Sequence, residues 1–145
     1  MKKKAIICDI DDTVVVEKDY SPINNVIDFL KENSDKYTII MLTARLEKLR
    51  NMTIKQLSSL GIKYNQLIMD PYLDQNHENS ATVEHAIYKA NEVRKVMVDY
   101  DVVLFIDNSK HARHEVKKLG ITTKKPENIK PKVLTKNLWS GIFIS

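Results

Sequence analysis

The sequence predicts an α/β protein, a Rossmann-like three-layer α/β/α sandwich around a central parallel sheet, with a small flap as its only cap. Three observations predict it. Apolar runs at Ala5–Cys8, Thr38–Leu42 and Val102–Ile106 each stop at a polar residue. The segments between them carry helical rather than alternating periodicity, and such β-α-β-α order implies parallel strands with helices on both faces, joined by right-handed crossovers. The polar strand ends then meet on one edge, where open α/β sheets bind ligands. A length of 145 residues suits one domain, residues 1–145, with a real core.

The elements follow in order. Ala5 to Cys8 reads as a buried strand ending at Asp9. Val14 to Val16 is too β-branched for a loop and too short for a central strand, so it predicts one arm of a flap over the site. Ser21-Pro22 opens a helix, Ser as N-cap and Pro at the first helical position; Ile23, Val26, Ile27 and Leu30 share one face, and the helix ends near Asn33. Thr38 to Leu42 is a second strand ending in Thr43-Ala44-Arg45. Leu46, Leu49, Ile54, Leu57 and Leu60 predict a helix from about Arg45, stopped by Gly61. Gln66 to Met69 is a short third strand, and Asp70 to Ala81 has neither period and reads as a loop. Thr82 starts a helix with an apolar stripe of Val83, Ala86, Ile87, Ala90, Val93, Val96 and Met97. Val102 to Ile106 is the fourth strand, Ser109 caps a helix reaching Leu119 and Gly120, Ile121 to Thr123 is a candidate fifth strand, and Lys124 to Lys132 reads as a linker.

Composition is that of a soluble globular protein. The single cysteine, Cys8, excludes an internal disulfide framework and reads as a small buried hydrophobe, in keeping with a reducing cytoplasm. Met1 to Lys4 is basic, but Asp9 interrupts the apolar run behind it too early for a signal peptide or a membrane span. Residues 108–145 carry nine Lys or Arg against two Glu, a balance of +7, whereas the whole chain stands at +4. That asymmetry suits either a polyanion or a lysine-rich solvated surface.

The chemistry concentrates at Asp9-Ile10-Asp11-Asp12-Thr13. With period-two alternation Asp9 and Asp11 point the same way and share a small volume. Their repulsion is relieved by a shared proton or by a divalent cation, for which Mg²⁺ with oxygen ligands is the natural candidate. The alternative is a polar turn in which Asp11 or Asp12 caps local amides.

These residues resemble the Asp-x-Asp-x-Thr signature of the haloacid dehalogenase superfamily of phosphohydrolases, most closely its members of the bacteriophage polynucleotide kinase 3'-phosphatase type, and the resemblance runs from Ala5 to about Ile121. It implies that Asp9 is a nucleophile that forms an aspartyl phosphate and that Asp11 is the acid and base, its carbonyl oxygen a further metal ligand. Thr43 matches a residue that hydrogen-bonds phosphoryl oxygens, against the plainer reading of a helix cap. Arg45 matches an arginine able to grip phosphate bidentately, against a solvated first-turn residue. Lys89, eighteen residues before Asp107, matches the lysine that bridges nucleophile and phosphate; Lys95 is its rival. Asp107 and Asn108 complete a Mg²⁺ set with Asp9 and Asp11.

The chain departs from the pattern in three places. Asn108 replaces the second acidic residue of the common pair, Asp12 stands where glycine is frequent, and no arginine follows the first motif, Lys18 being the only stand-in. His77, His85, His111 and His114 make no metal set, and the last two fit a solvated face. With no room for a cap domain, an open cleft beside a basic C-terminal region suits a phosphorylated nucleic-acid 3' end. The expectation is a Mg²⁺-dependent phosphomonoesterase, a polynucleotide 3'-phosphatase, with no membrane partner. A nucleotide or small-metabolite phosphatase and a phosphate-binding module that has lost turnover are the alternatives. The oligomeric state is left open.

Overall fold

The computed structural model describes residues 1–71 and 81–131. Most of the predicted loop from Asp70 to Ala81, with His77, and the end of the predicted linker at Lys132 lie outside the described residues. Within them the order is β1 (Lys3–Cys8), α1 (Asn24–Asn33), β2 (Thr38–Leu46), α2 (Arg50–Ser59), β3 (Gln66–Asp70), α3 (Ala81–Asp99), β4 (Tyr100–Ile106), α4 (Lys110–Lys117) and β5 (Thr123–Lys124). The strands form one sheet in the order β3-β2-β1-β4-β5, parallel throughout.

Strand alternation divides the core in two. Ile6 and Cys8 of β1 and Ile39 and Met41 of β2 face α1 and α2, against Val26, Ile27, Leu30 and Leu57. Ala5, Ile7, Ile40 and Leu42 face α3 and α4, against Ala90, Val93, Ala112 and Val116. Each fully buried aliphatic side chain contributes about 1.5–3 kcal/mol, so both faces of the central strands must be covered. Three layers result. Cys8 is one of these core residues; burial, then the neighbouring Asp9 charge, pushes its thiol well above the usual range. Among the described residues no helix is long and apolar enough to cross a membrane.

Several boundaries differ from the sequence expectation. Ser21 does not cap α1: its amide and hydroxyl both donate to Asp19 Oδ1 (3.0 and 2.7 Å), and α1 starts at Asn24. Val14 to Val16 forms one arm of a hairpin, as predicted, but with Val14 and Val15 fully buried. Val16 N–H donates to the Ser21 carbonyl (2.8 Å) and Ile23 N–H to that of Val14 (2.8 Å), a narrow hairpin whose base lies in the core. Only its tip, Glu17 to Tyr20, reaches the site. The helix expected from Arg45 begins at Arg50, because β2 runs on to Leu46 and a 3-10 turn, Glu47–Leu49, follows. Its end is as read: Gly61, at φ 73°, and Ile62 donate to Ser58 and Leu57 (3.0 and 3.2 Å), the Schellman closure that favours glycine.

The α3 stripe is narrower than predicted, since Val83 and Ile87 are half-exposed. The fifth strand is displaced to Thr123–Lys124. Nor is Lys124 to Pro131 a linker: Pro126 and Ile129 are buried, and Asn25 Nδ2 donates to their carbonyls (2.8 and 3.0 Å).

Candidate active site

Asp9 N–H donates to the Ile106 carbonyl (2.9 Å), carrying the β1–β4 pairing one residue past the strand and setting the Asp9 side chain at the sheet edge. The Ile10 carbonyl then accepts from Thr13 and Val14 (3.1 and 2.9 Å), turning the chain back. Asp12 sits at φ 59°, a conformation that aspartate tolerates better than most residues, and its Oδ1 accepts from Glu17 N–H (2.8 Å). Asp12 is therefore the local cap. Asp11 turns elsewhere.

The deep part of the site is a buried triad. Lys89 Nζ lies 2.9 Å from Asp9 Oδ1 and 2.7 Å from Asp107 Oδ2. The rival Lys95 pairs with Glu92 on an exposed face. Thr13 Oγ1 donates to Asp9 Oδ2 (3.0 Å), and Ser109 N–H donates to Asp107 Oδ1 (2.8 Å); the Ser109 hydroxyl in turn caps α4 at Ala112 (3.1 Å), as its sequence position predicts. Burial, reinforced by Asp107, pushes the Asp9 carboxyl up to about 7 against the opposing pull of Lys89. For Lys89 burial acts downward, but Asp9 and Asp107 outweigh it and raise its pKa above the ordinary lysine value.

The shallow part is built on a bulge. The β2–β3 register shifts between Leu42 and Leu46, so β2 gains residues there, a device that re-aims side chains beside sites. Thr43 and Arg45 both lie in this segment and are buried. Thr43 Oγ1 accepts from Arg45 N–H (3.0 Å). Arg45 does not sit in a helical first turn, and its fork is not open for phosphate: Nε and Nη2 donate to Asp11 Oδ2 and Oδ1 (3.0 and 2.7 Å), and Nη1 donates to Thr53 Oγ1 (2.9 Å). The chain's own cations thus relieve the Asp9 and Asp11 charges, Lys89 for one and Arg45 for the other. Lys89 is shared with Asp107, so the deep centre keeps the excess negative charge for which the sequence called for a cation or a proton.

Asn108 joins the two parts. One end of its side-chain amide lies 2.9 Å from Asp9 Oδ2 and 3.1 Å from the Asp11 carbonyl oxygen. With nitrogen at that end the amide donates to both. With oxygen there, Asn108, Asp9 and the Asp11 carbonyl would offer the all-oxygen ligand set that Mg²⁺ takes. The donor set therefore fits a small hard cation. Among the described residues no group of three or more His, Cys, Asp or Glu side chains is arranged to hold a metal, so such a cation would rely on the amide and carbonyl oxygens. Asp107, expected in the same set, gives its carboxylate oxygens to Lys89 and Ser109.

These groups line a cavity of about 670 Å³, to which Tyr20, Asp70 and His85 also contribute. Sequence reading passed over Tyr20, Asp70 and Thr53. Thr53 left a signal: it is the fully buried polar member of the Leu49, Thr53, Leu57 series at helical spacing. Lys18 is exposed, as are His111 and His114 on α4.

Known structures share this architecture. A chain of the Pnkp1/Rnl/Hen1 RNA repair complex superposes with a TM-score of 0.69 at 23% identity, covering 86% of this chain and 42% of that one. The fold is shared. A second structure of the Pnkp1/Rnl/Hen1 complex gives 0.68 at 23% identity, over 86% of this chain and 46% of the other. UDP-GlcNAc 2-epimerase from Neisseria meningitidis, bound to UDP-GlcNAc, gives 0.50 at 16% identity, over 84% and 31%. The chain spans less than half the length of each of these proteins. No protein-family model matches it, and no curated protein does. What this chain shares with these structures is the fold.

Proposed function

We propose that this chain is a Mg²⁺-dependent phosphomonoesterase that acts through an aspartyl phosphate on the 3'-phosphate end of a polynucleotide. The observation that carries the reading is the buried Asp9 carboxylate, bonded to Lys89 and Thr13 at the carboxyl edge of a parallel sheet and opening onto the cavity that Asp11 and Thr43 also line. Asp9 attacks phosphorus, forming the aspartyl O–P bond as the ester P–O bond breaks, and Asp11 protonates the leaving oxygen. Asp11 then takes a proton from a water that attacks the same phosphorus, releasing inorganic phosphate and restoring Asp9. Lys89 and the Thr43 hydroxyl balance charge on the non-bridging oxygens, the main need in phosphoryl transfer. Arg45 positions Asp11. Asp9, the Asp11 carbonyl and Asn108, with Asp107, would hold a Mg²⁺ ion, which would supply charge neutralisation to the phosphoryl oxygens.

The polynucleotide end is favoured by the likeness in fold to a chain of an RNA repair complex and by exposed lysines at one side of the site. Asp107 N–H donates to the Lys124 carbonyl (3.2 Å), so the exposed Lys124 and Lys125 follow directly beside a motif residue. The test is a panel of 3'-phosphorylated oligonucleotide, 5'-phosphorylated oligonucleotide and mononucleotides with Mg²⁺, repeated across a salt series. Preference for the 3'-phosphorylated strand, with affinity falling by a log-log slope of about −0.7 for each phosphate neutralised, supports the reading. Equal or better use of mononucleotides makes the chain a nucleotide phosphatase, and binding without release of phosphate makes it a binding module.

A further inference from the structure

The walls of the cavity differ in kind. One carries the Asp9 and Asp11 groups; toward β2 and α2 the lining is Tyr20, Leu49 and Met52, 50%, 37% and 37% exposed. A volume of about 670 Å³ is far more than a phosphate group fills and lies in the range that holds a whole small-molecule moiety. Two of these side chains rest on a fixed support, Arg45, and the backbone of the third is tied to it through Thr53. The Tyr20 ring centroid lies 5.7 Å from Arg45 Cζ, and Met52 Sδ lies 3.8 Å from Arg45 Nη1. Arg45 is itself pinned by Asp11 and Thr53, and the Thr53 hydroxyl donates to the Leu49 carbonyl (2.9 Å).

Tyr20 stands out within this group. Its backbone is at φ 61°, a region that disfavours bulky residues, and its N–H donates to the Val16 carbonyl (2.7 Å), closing the hairpin tip. Half its surface is exposed, so core packing does not account for an aromatic ring in a conformation better suited to glycine or asparagine. A ring and a thioether on the same guanidinium, in a cavity that Leu49 also lines, offer a flat polarisable surface beside a phosphate-sized polar centre. The partner that matches such a surface is a planar heteroaromatic group joined to a phosphate.

We propose that Tyr20, Leu49 and Met52 form a stacking platform for the base of the substrate's phosphorylated terminal nucleotide and so determine specificity. The inference rests on the polynucleotide reading and deepens it. Stacking tolerates any base because each has a π face, so the platform selects for the presence of a base rather than for its identity.

The test uses two 3'-phosphorylated oligonucleotides that differ only in whether the terminal nucleotide carries a base or is abasic. Dissociation constants are measured in the Asp9→Asn background and kcat/KM in the otherwise native protein. The full platform prefers the base-bearing end by roughly tenfold or more, the scale of one stacked base. Tyr20→Ala collapses that ratio toward one and Tyr20→Phe retains it. Equal losses on both substrates, or no preference before substitution, overturn the platform. Should Tyr20→Ala fail to fold, the double variant Leu49→Ala/Met52→Ala must lower the same ratio, and an unchanged ratio overturns the proposal equally. Base-dependent binding without release of phosphate from either oligonucleotide leaves the platform standing and defeats the phosphatase reading instead.

Discussion

Asp9 and Asp11 are two residues apart and chemically identical, yet they occupy opposite electrostatic settings. Asp9 is 4% exposed and shares a single ammonium with Asp107, so two carboxylates face one cation where little water reaches. The Asp11 side chain, 27% exposed, has a guanidinium to itself in fork geometry. The deep centre keeps an excess negative charge whereas the shallow one is balanced. An excess of buried negative charge invites a further cation; a balanced pair holds a side chain still. The settings bear on the proposed roles differently: burial opposes the ionised form that Asp9 needs as a nucleophile, which a bound cation would favour, and the Arg45 fork fixes the orientation of Asp11.

The largest expected effect breaks the deep centre's chemistry and spares its fold. Asp9→Asn should lower turnover by more than a hundredfold, since loss of a nucleophile removes several kcal/mol of transition-state stabilisation at about 1.4 kcal/mol per tenfold. Steady-state kinetics on a 3'-phosphorylated oligonucleotide reads this. Retention of more than a tenth of the activity would remove Asp9 from the nucleophile role.

Next, the two cations should differ in structural weight. Lys89→Ala leaves two buried carboxylates without a counter-ion and should cost about 3–5 kcal/mol. Arg45→Ala strands a carboxylate that water can reach and should cost about 1–2 kcal/mol. Urea denaturation of both variants measures the gap, and equal losses would mean that the depths of the two settings do not matter.

A smaller effect follows from the Asp9 carboxyl, which burial raises to about 7 in the fold from the ordinary carboxylate value of 3.8. Between those values the folded form binds more protons than the unfolded one, so this group's contribution to stability falls as pH rises through that window. Asn cannot ionise and escapes the loss. With chelator present, the melting temperature of Asp9→Asn should match the native one near pH 4 and exceed it by a few degrees at pH 8. A constant difference across the range would show that Asp9 is not strained by its ionisation.

What the sequence made legible divides along the same line. Strand alternation and apolar runs located the sheet, and Asp9 and Asp107 followed because each is the first polar residue after a buried strand. Lys89 needed the motif spacing, since a lysine on an amphipathic helix is ordinarily solvated. The shallow centre was read less well. The β2 bulge that carries Thr43 and Arg45 depends on pairing with β3, a non-local contact, so local periodicity started a helix at Arg45 where the chain is still strand. The hairpin arm at Val14 to Val16 was legible from its β-branched residues, but the burial of its base was not, because that depends on the packing of neighbouring elements. Tyr20 carries no sequence signal, because its position comes from a backbone bond to Val16 and not from a pattern.

The smallest expected effect lies at the junction of the two settings. Asn108 presents one amide end to Asp9 Oδ2 and to the Asp11 carbonyl, and a neutral amide can turn nitrogen toward them as a donor or oxygen toward them beside a cation. A carboxylate has no donor end when ionised, so Asn108→Asp loses the first option and strengthens the second. The variant should bind Mg²⁺ more tightly, because an added carboxylate favours a hard cation, and should be less stable without it, because a further negative charge then crowds Asp9. Titration calorimetry with Mg²⁺, paired with melting curves in chelator, reads both arms: a several-fold lower dissociation constant together with a melting temperature lowered by a few degrees. If neither quantity moves, residue 108 does not face the cation, and the convergence of oxygens at Asp9 and Asp11 is only a hydrogen-bonded turn. Tighter Mg²⁺ binding without the loss in chelator would mean that the Asn108 amide contributes no hydrogen bond of consequence, and the excess charge of the deep centre would then be offset by Lys89 alone.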